Sequence, residues 1–188
     1  MEARGTRKRW TYAEFARLPE SGRTRYEVID DELVVTAAPG TRHQRIVAKL
    51  LTQLFGFAKE HDLGQVFPGP LDVLFADGDY LEPDILFVRK DHLDLVSDRG
   101  VEGPPDLVGE VVSPSTADRD RSLKLDRYRL YGVPEYWVVD PVDATVEVWR
   151  LAEGAKEPVV QTCEDTLAWT PEGGAPVLEI DLEELFGA

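Results

Sequence analysis

Two acidic residues lie inside segments whose composition is typical of buried strands. Asp84 lies in the segment 80–88 and Glu110 in the segment 106–112, and both are short, rich in β-branched or aromatic residues and bounded by turn residues. At the two-residue period of a strand, the acids share their faces with apolar residues, namely Leu86, Val88, Val108 and Val112. An ionised carboxylate among such neighbours is costly unless a cation or several hydrogen-bond donors meet it.

If these two strands are neighbours in a sheet, their carboxylates come together, and the repulsion between them calls for a counter-ion. The pattern therefore predicts a site for a hard cation at Asp84 and Glu110. Oxygen ligands without paired His or Cys side chains favour Mg²⁺ or Mn²⁺ over Zn²⁺. The single cysteine, Cys163, excludes a cysteine-rich metal cluster and an internal disulfide bond.

A lysine on the next helix is a candidate positive charge for this site. The segment 113–116 is a typical helix start and Gly132 a typical stop, which predicts a helix over about 117–131. The helix face that should meet the sheet holds Arg121, Lys124, Leu125, Tyr128 and Tyr131. Lys124 could therefore orient a water molecule or neutralise a phosphate beside the acids. The alternative is that its amine reaches solvent at the rim of the apolar stripe.

Three further polar residues are candidates for the same region. His43 begins the apolar stripe of a long helix and is either a capping or core histidine or a donor that faces the site. Glu27 lies in a strand and is either a third acid or the partner of a nearby arginine. Asp72 could lie beside Asp84 on a neighbouring strand.

The composition is that of a globular protein. The chain has 188 residues, of which 43% are hydrophobic. Its length predicts a single domain over 1–188, with a core over about 25–151 and an acidic C-terminal extension over 152–188. No apolar run approaches the ~20 residues that a membrane-spanning helix needs, and no apolar segment follows the charged N-terminus as in a secretory signal. We therefore expect a cytoplasmic protein with no membrane partner.

The net charge of −15 is unevenly distributed along the chain. Residues 1–50 hold 10 Lys or Arg against 7 Asp or Glu, and residues 115–132 hold 5 against 3. These basic stretches either form a local phosphate-facing surface on an acidic body or are ordinary solvated faces. The first alternative places Arg42, Arg45 and Lys49 on a surface that binds DNA.

The remaining elements can be placed by their periodicity and turn signals. A capping box at Thr11 begins a short helix through Leu18, and a hairpin over 25–36 turns at Asp30-Asp31. The amphipathic stripe of the longest helix covers about 42–60. Strands are expected at about 65–67, 70–75, 81–88, 106–112, 136–139 and 145–151, with a late strand near 159 and a terminal helix over 182–186. The order predicts an α/β fold, with one mixed sheet between helices and an N-terminal helix-hairpin extension.

The order of these motifs resembles the restriction-endonuclease-like nuclease superfamily, whose signature is Pro-Asp followed later by Asp/Glu-x-Lys. Within that superfamily the chain resembles the Uma-two family of restriction-endonuclease-like proteins. The matching segments cover most of residues 10–150 and are 26–33, 41–46, 71–73, 82–86, 105–116, 124–128 and 132–141. The block from Pro105 to Pro141 is the most specific of them.

The resemblance implies a restriction-endonuclease-like mixed β-sheet flanked by helices. It implies that Asp84 and Glu110 hold Mg²⁺ or Mn²⁺ and that the Val111 carbonyl is a further ligand. Val112 stands where the superfamily has its lysine, so Lys124 would supply the amine from the next helix. The expected activity is metal-dependent hydrolysis of DNA phosphodiester bonds by a Mg-bound water.

Two other functions stay open on the sequence. One is a non-catalytic nucleic-acid-binding or regulatory module on a decayed nuclease scaffold. This alternative would account for Val112 at the lysine position and for the negative net charge. The other is a hydrolase for a small phosphorylated metabolite. If the chain cuts both strands of DNA, we expect a homodimer, because a nuclease with one site usually needs two copies for this.

Overall fold

The computed structural model describes residues 9–19, 24–171 and 176–187 of the chain. Its α-helices are α1 (Tyr12–Phe15), α2 (Thr41–Glu60), α3 (Ala117–Arg119), α4 (Leu125–Tyr131) and α5 (Leu182–Phe186). The strands, in chain order, are β1 (Thr24–Ile29), β2 (Glu32–Ala37), β3 (Gly64–Pro68), β4 (Val73–Ala76), β5 (Asp79–Leu81), β6 (Ile85–Arg89), β7 (Val96–Ser97), β8 (Gly100–Val101), β9 (Leu107–Val111), β10 (Glu135–Asp140), β11 (Thr145–Arg150), β12 (Val159–Thr162), β13 (Thr166–Trp169) and β14 (Leu178–Asp181).

Within the described residues the strands form two six-stranded sheets and one two-stranded sheet. The first, which we call the central sheet, has the order β12-β11-β10-β9-β6-β3. Its β9 and β10 are parallel, and its other neighbouring pairs are antiparallel. A parallel pair requires a crossover connection, and here the helical segment from α3 to α4 provides it. The predicted α/β class, with a mixed sheet flanked by helices, is confirmed.

The second sheet, which we call the front sheet, has the order β2-β1-β5-β4-β8-β7. The sequence predicted one sheet and a continuous strand over 81–88, and both predictions are wrong. The chain leaves the front sheet at the end of β5 and enters the central sheet at β6, with residues 82–84 between them. Pro83 has no N–H to donate to a ladder, which favours a break at this point.

Helix α2 packs along one face of the central sheet. Its buried residues recur at helical spacing and are Ile46, Val47, Leu50, Leu54, Phe57 and Ala58. Burying one such large side chain contributes about 1.5–3 kcal/mol. Its N-cap residue, Gly40, has no side chain that could cap the first turn, so burial of this apolar stripe is the main packing interaction of the helix.

The C-terminal segment belongs to the same core rather than extending from it. The core cluster on the α2 face includes Leu167 and Trp169 of β13, Ile180 of β14, and Leu182 and Leu185 of α5. Strand β12 also pairs with β11 at one edge of the central sheet. The sparse apolar positions of this acidic segment therefore pack in the same cluster as apolar residues of 25–151.

The opposite face of the central sheet packs against the helical segment that crosses from β9 to β10. This segment covers the predicted helix over 117–131, but a π-helical turn over Asp120–Lys124 separates α3 from α4. Gly132 ends the helix in the left-handed region at φ 80°, as the sequence predicted. Ile29 of β1 and Leu81 of β5 pack into the same cluster, so the front sheet covers part of this face.

Two local predictions at the N-terminus are also testable in the structure. The capping box at Thr11 is present, although α1 ends at Phe15 rather than at Leu18. The hairpin turns at Asp30 and Asp31, which both have positive φ, as a two-residue hairpin turn that matches strand twist requires. None of the helices within residues 9–19, 24–171 and 176–187 has the length and apolar character to cross a membrane.

Candidate active site

The register of two neighbouring strands brings the two predicted acids together. Strands β6 and β9 pair antiparallel with Ile85 opposite Gly109. One residue further along, Asp84 therefore stands opposite Glu110. Both side chains are buried, at 4% and 3% exposure, as the alternation of apolar residues predicted.

Asp84 is held as an anion by three donors. Its Oδ1 accepts a hydrogen bond from Arg25 Nη1 at 2.8 Å, and its Oδ2 accepts from His43 Nε2 at 3.0 Å and from the Val111 amide at 2.9 Å. Burial opposes ionisation, but the hydrogen bond and charge of His43, the charge of Arg25 and the Val111 amide outweigh it and lower the pKa of Asp84 to about 2. The side chain is therefore a fixed negative charge at neutral pH.

Glu110 is paired with Lys124, as the position of this lysine on the helix face indicated. Lys124 Nζ donates to Glu110 Oε1 at 2.8 Å and forms an ion pair with Glu27 Oε1 at 2.7 Å. The lysine is 2% exposed, so the alternative in which its amine reaches solvent is wrong. Burial would lower its pKa, but the charges of Glu110, Glu27 and Asp120 raise it above the ordinary value. Lys124 is thus a buried ammonium ion.

The structure places Glu27 and His43 in the same site. Glu27 lies on β1 at 1% exposure and also accepts a hydrogen bond from the Glu82 amide at 3.0 Å. It lies 4.0 Å from Arg119 Nη2, so it is both a third acid of the site and an ion-pair partner. His43 lies in the first turn of α2 and contacts Asp84, which agrees with the interpretation that it faces the site.

Asp72 is not part of this site. It precedes β4 in the front sheet, whereas Asp84 precedes β6 in the central sheet, so the prediction that they lie side by side on neighbouring strands is wrong. It failed because the chain passes from one sheet to the other between them.

Sequence reasoning missed four residues that contact the site. Arg25 binds Asp84 from β1, and the hydroxyl of Tyr128 donates to Glu110 Oε1 at 2.9 Å. Arg119 and Asp120 complete the set beside Lys124, with Asp120 Oδ1 at 3.8 Å from the ammonium nitrogen. Tyr128 was noted only as an apolar-face residue, although a buried tyrosine usually needs a partner for its hydroxyl.

Apart from Tyr128, the residues of the site line a cavity of about 220 Å³, which we call the site cavity. Its wall also includes Val111, Ser113, Ser115 and Thr116 at the end of β9. Three buried atoms of the wall, Asp120 Oδ1, His43 Nδ1 and Arg119 Nε, have no hydrogen-bond partner among the described residues. The cavity therefore offers both acceptors and donors to a small polar group.

The donor set fits a hard divalent cation. Carboxylate, hydroxyl and main-chain oxygens predominate beside Asp84 and Glu110, and the one histidine nitrogen there, His43 Nε2, is already bonded to Asp84, which suits Mg²⁺ or Mn²⁺. Burial raises the pKa of Glu110 even though the charge of Lys124 opposes the shift, so a further positive charge would stabilise the ionised form of Glu110. In the described part of the chain no three His, Cys, Asp or Glu side chains form a preassembled metal cluster. A cation would accordingly take its other ligands from main-chain oxygen, water or phosphate.

The surface around the site bears on DNA binding. Arg42 and Arg45 are exposed in the first turns of α2, close in sequence to His43. Lys49, which the sequence placed with them, instead donates to the main-chain carbonyls of Glu184 at 2.7 Å and Gly187 at 3.0 Å. It stabilises the C-terminal end of α5.

The family model described as "Uma2: Putative restriction endonuclease" matches residues 12–183. The chain belongs to the Uma2 family. No curated protein matches it at a significant level. A crystal structure described as "a putative nuclease belonging to DUF820" from Anabaena variabilis has a similar fold, with a TM-score of 0.76 and 22% identity over 94% of this chain and 97% of that chain.

The Uma2 chain departs from the wider nuclease signature at the position after Val111. Val112 is buried at 3% exposure in the cluster that packs against α4, so an amine there would face apolar side chains. Lys124 enters from the adjacent helix and its ammonium lies against Glu110 instead. The structure thus places the amine of Lys124 beside Glu110, and its role in place of a lysine at position 112 stays a prediction.

Proposed function

We propose that this Uma2 protein is a metal-dependent DNA endonuclease. The observation that carries the proposal is the opposed pair of Asp84 and Glu110, with the ammonium of Lys124 at 2.8 Å from Glu110. A bound Mg²⁺ or Mn²⁺ would contact the scissile phosphate, activate water for attack and stabilise the charge that develops on the phosphoryl oxygens.

The protein side chains would divide the remaining work. Asp84 and Glu110 would hold the cation, and the Val111 carbonyl is a further candidate ligand. Arg25, His43 and the Val111 amide fix the Asp84 carboxylate, while Lys124 and Tyr128 fix that of Glu110. Groups held in place before the substrate arrives need no reorganisation in the transition state.

Lys124 would act through its charge. Because the surrounding carboxylates raise its pKa, it stays protonated and is unsuited to accept a proton from water. It can hold Glu110 in position and offset negative charge at the phosphate.

The direct test is cleavage of supercoiled plasmid with Mg²⁺ or Mn²⁺, beside the same reaction in EDTA. We expect cleavage only with metal and none by an Asp84→Asn variant. Linear product formed without a nicked precursor would support a homodimer, because one site cuts one strand at a time. Binding without cleavage under all these conditions would favour the non-catalytic module, an alternative that the three donors already on Asp84 also support.

Arg42 and Arg45 are expected to bind phosphate groups of the DNA. A cation that neutralises a phosphate releases counter-ions, so the slope of log affinity against log salt should become shallower by about 0.9 for each phosphate of duplex DNA that the variant no longer neutralises. We expect the double Arg42→Ala and Arg45→Ala variant to neutralise up to about two phosphates fewer than the wild type in a fluorescence-anisotropy salt series.

The matched control is Lys59→Ala, which removes an exposed positive charge from the opposite end of α2. Its slope should equal that of the wild type. Equal slopes for the wild type and the Arg42 and Arg45 variant would remove this surface from the proposal.

A further inference from the structure

A second and larger cavity, of about 810 Å³, adjoins the site cavity. We call it the aromatic cavity. The two cavities share the lining residues Arg25, Ala38 and Pro39. At this border the Arg25 guanidinium donates to Asp84 at 2.8 Å and to the main-chain carbonyl of Glu82 at 3.2 Å. A ligand held at Asp84 therefore has open space beside it on the Arg25 side.

Aromatic rings form one wall of this cavity. Tyr12, Phe15 and Tyr26 line it, and the guanidinium of Arg99 lies 4.2 Å from the centroid of the Tyr12 ring. Planar groups stack on aromatic side chains, and a stacked nucleobase contributes about 1–3 kcal/mol in single-strand binding proteins. Phe15 is buried at 6% exposure and the Arg99 guanidinium covers one face of Tyr12, so the half-buried Tyr12 and Tyr26 are the rings of this wall on which a flat, largely uncharged ligand can stack.

The charges in the lining favour such a ligand over a phosphate. Among the described residues of the lining there are three carboxylates, of Asp72, Glu82 and Asp98, and two guanidinium groups, of Arg25 and Arg99. Both guanidinium groups already have partners, since Arg25 binds Asp84 and Arg99 lies 3.5 Å from Glu102. A phosphate placed here would be repelled, whereas the base of the same nucleotide would not.

Asp72 supplies an acceptor that the protein leaves unused. Its main-chain carbonyl accepts a hydrogen bond from the Val101 amide at 2.9 Å, which fixes the residue. Its carboxylate has no hydrogen bond or ion pair within the described ranges of the chain. Burial raises the pKa of this carboxyl to about 6, which reflects the missing donor. A ligand N–H group would provide one.

We propose that the aromatic cavity holds an unstacked nucleobase with an exocyclic amino group, which donates to Asp72 while the base stacks on the aromatic wall. The inference rests on the proposed function, because the base would belong to the strand whose phosphate lies at Asp84 and Glu110. Cytosine, adenine and guanine offer an amino group, whereas thymine has none, and its N3–H donor lies between two carbonyl oxygens that a carboxylate repels. The cavity would thus select the sequence beside the cut.

The test is binding of fluorescein-labelled oligo(dC), oligo(dA) and oligo(dT) to the full chain in EDTA at neutral pH. We expect oligo(dC) and oligo(dA) to bind about tenfold more tightly than oligo(dT), as one specific hydrogen-bonded contact provides. Asp72→Asn should erase this preference, because its amide can donate to a thymine carbonyl as well as accept. Asp94→Asn removes the same charge from an exposed position outside the cavity and should keep the preference.

Two further measurements separate binding from folding. Tyr12→Leu should weaken all three oligonucleotides alike, since stacking does not distinguish bases. The pKa of Asp72 is raised above its ordinary 3.8, so its ionisation weakens the folded state as pH rises toward 6. Asp72→Asn should therefore melt at the wild-type temperature or higher at pH 7.5, and a lower temperature would give the carboxylate a structural role and overturn the proposal.

Equal affinity of the wild type for all three strands, or an unchanged preference in Asp72→Asn, would also overturn it. These outcomes do not depend on cleavage. A protein that cleaves without the preference contradicts the cavity proposal alone, and one that shows the preference without cleaving contradicts the endonuclease proposal alone.

Discussion

Replacing Lys124 with methionine is expected to lower the single-turnover rate constant of DNA cleavage by at least about 100-fold, the usual effect of removing a positioned electrostatic group. The ammonium lies 2.8 Å from Glu110 and 2.7 Å from Glu27 in a buried environment, where its charge is poorly screened. The affinity for Mn²⁺ should stay the same or rise, because the lysine competes with the cation for Glu110. Both quantities can be measured on one preparation, by cleavage assay and calorimetric titration.

The same substitution leaves two buried carboxylates without their cation, which costs about 3–5 kcal/mol when one partner of a buried pair is removed. Lost activity could then reflect a lost fold. The double variant Lys124→Met with Glu27→Gln removes one positive and one negative charge and should recover most of the melting temperature. If this stable variant cleaves DNA as fast as the wild type, Lys124 has no role in the reaction.

Asp84→Asn and Glu110→Gln are each expected to abolish detectable Mn²⁺ binding, because each removes one of the two opposed carboxylates. Their stabilities should differ. The pKa of Asp84 is lowered to about 2, so its charge stabilises the folded state above its ordinary pKa, and this contribution is lost as pH falls toward 2. Asp84→Asn should therefore lower the melting temperature at pH 7, with a smaller deficit at pH 3.

Glu110→Gln should keep the melting temperature at pH 7 or raise it, because burial raises the pKa of Glu110 and makes its ionised form costly, and because Lys124 keeps Glu27 as an ion-pair partner. Asp79→Asn is a matched control from outside the site. Asp79 is buried and accepts hydrogen bonds from the Asp30 amide at 2.8 Å and Tyr131 at 2.7 Å, so its loss should destabilise the fold without affecting metal. Wild-type Mn²⁺ affinity in both site variants would contradict the metal site.

The central part of the site could be predicted because its signals are local. Alternation of apolar residues identified the strands of Asp84 and Glu110, and a helical wheel placed Lys124 toward the sheet. The resemblance to a nuclease family added the pairing of these strands, and the register of Ile85 opposite Gly109 is consistent with it.

The contacts that come from the front sheet could not be predicted in this way. Arg25 meets Asp84 across 59 positions of sequence, and no periodicity in either segment indicates that pairing. The same limit explains why Asp72 was wrongly placed beside Asp84. The apolar run over 80–88 looks like one strand, but the chain passes from the front sheet to the central sheet within it. The hydrogen bond from the Tyr128 hydroxyl to Glu110 could not be predicted either, because a pattern of hydrophobic positions does not show which partner a buried hydroxyl has.

The π-helical turn at Asp120–Lys124 makes the length of this helix as important as its composition. A π-turn holds one residue more than an α-turn, and each residue of an α-helix advances the side chains by about 100°. If one residue between Thr116 and Lys124 is deleted, the π-turn can become a regular α-helical turn. The side chains on one side of the deletion then rotate by about 100° relative to those on the other, which turns either Lys124 or the residues of α3 away from the site. Alignments of related chains should therefore treat a single-residue gap here as the possible loss of the site, even where every functional side chain is retained.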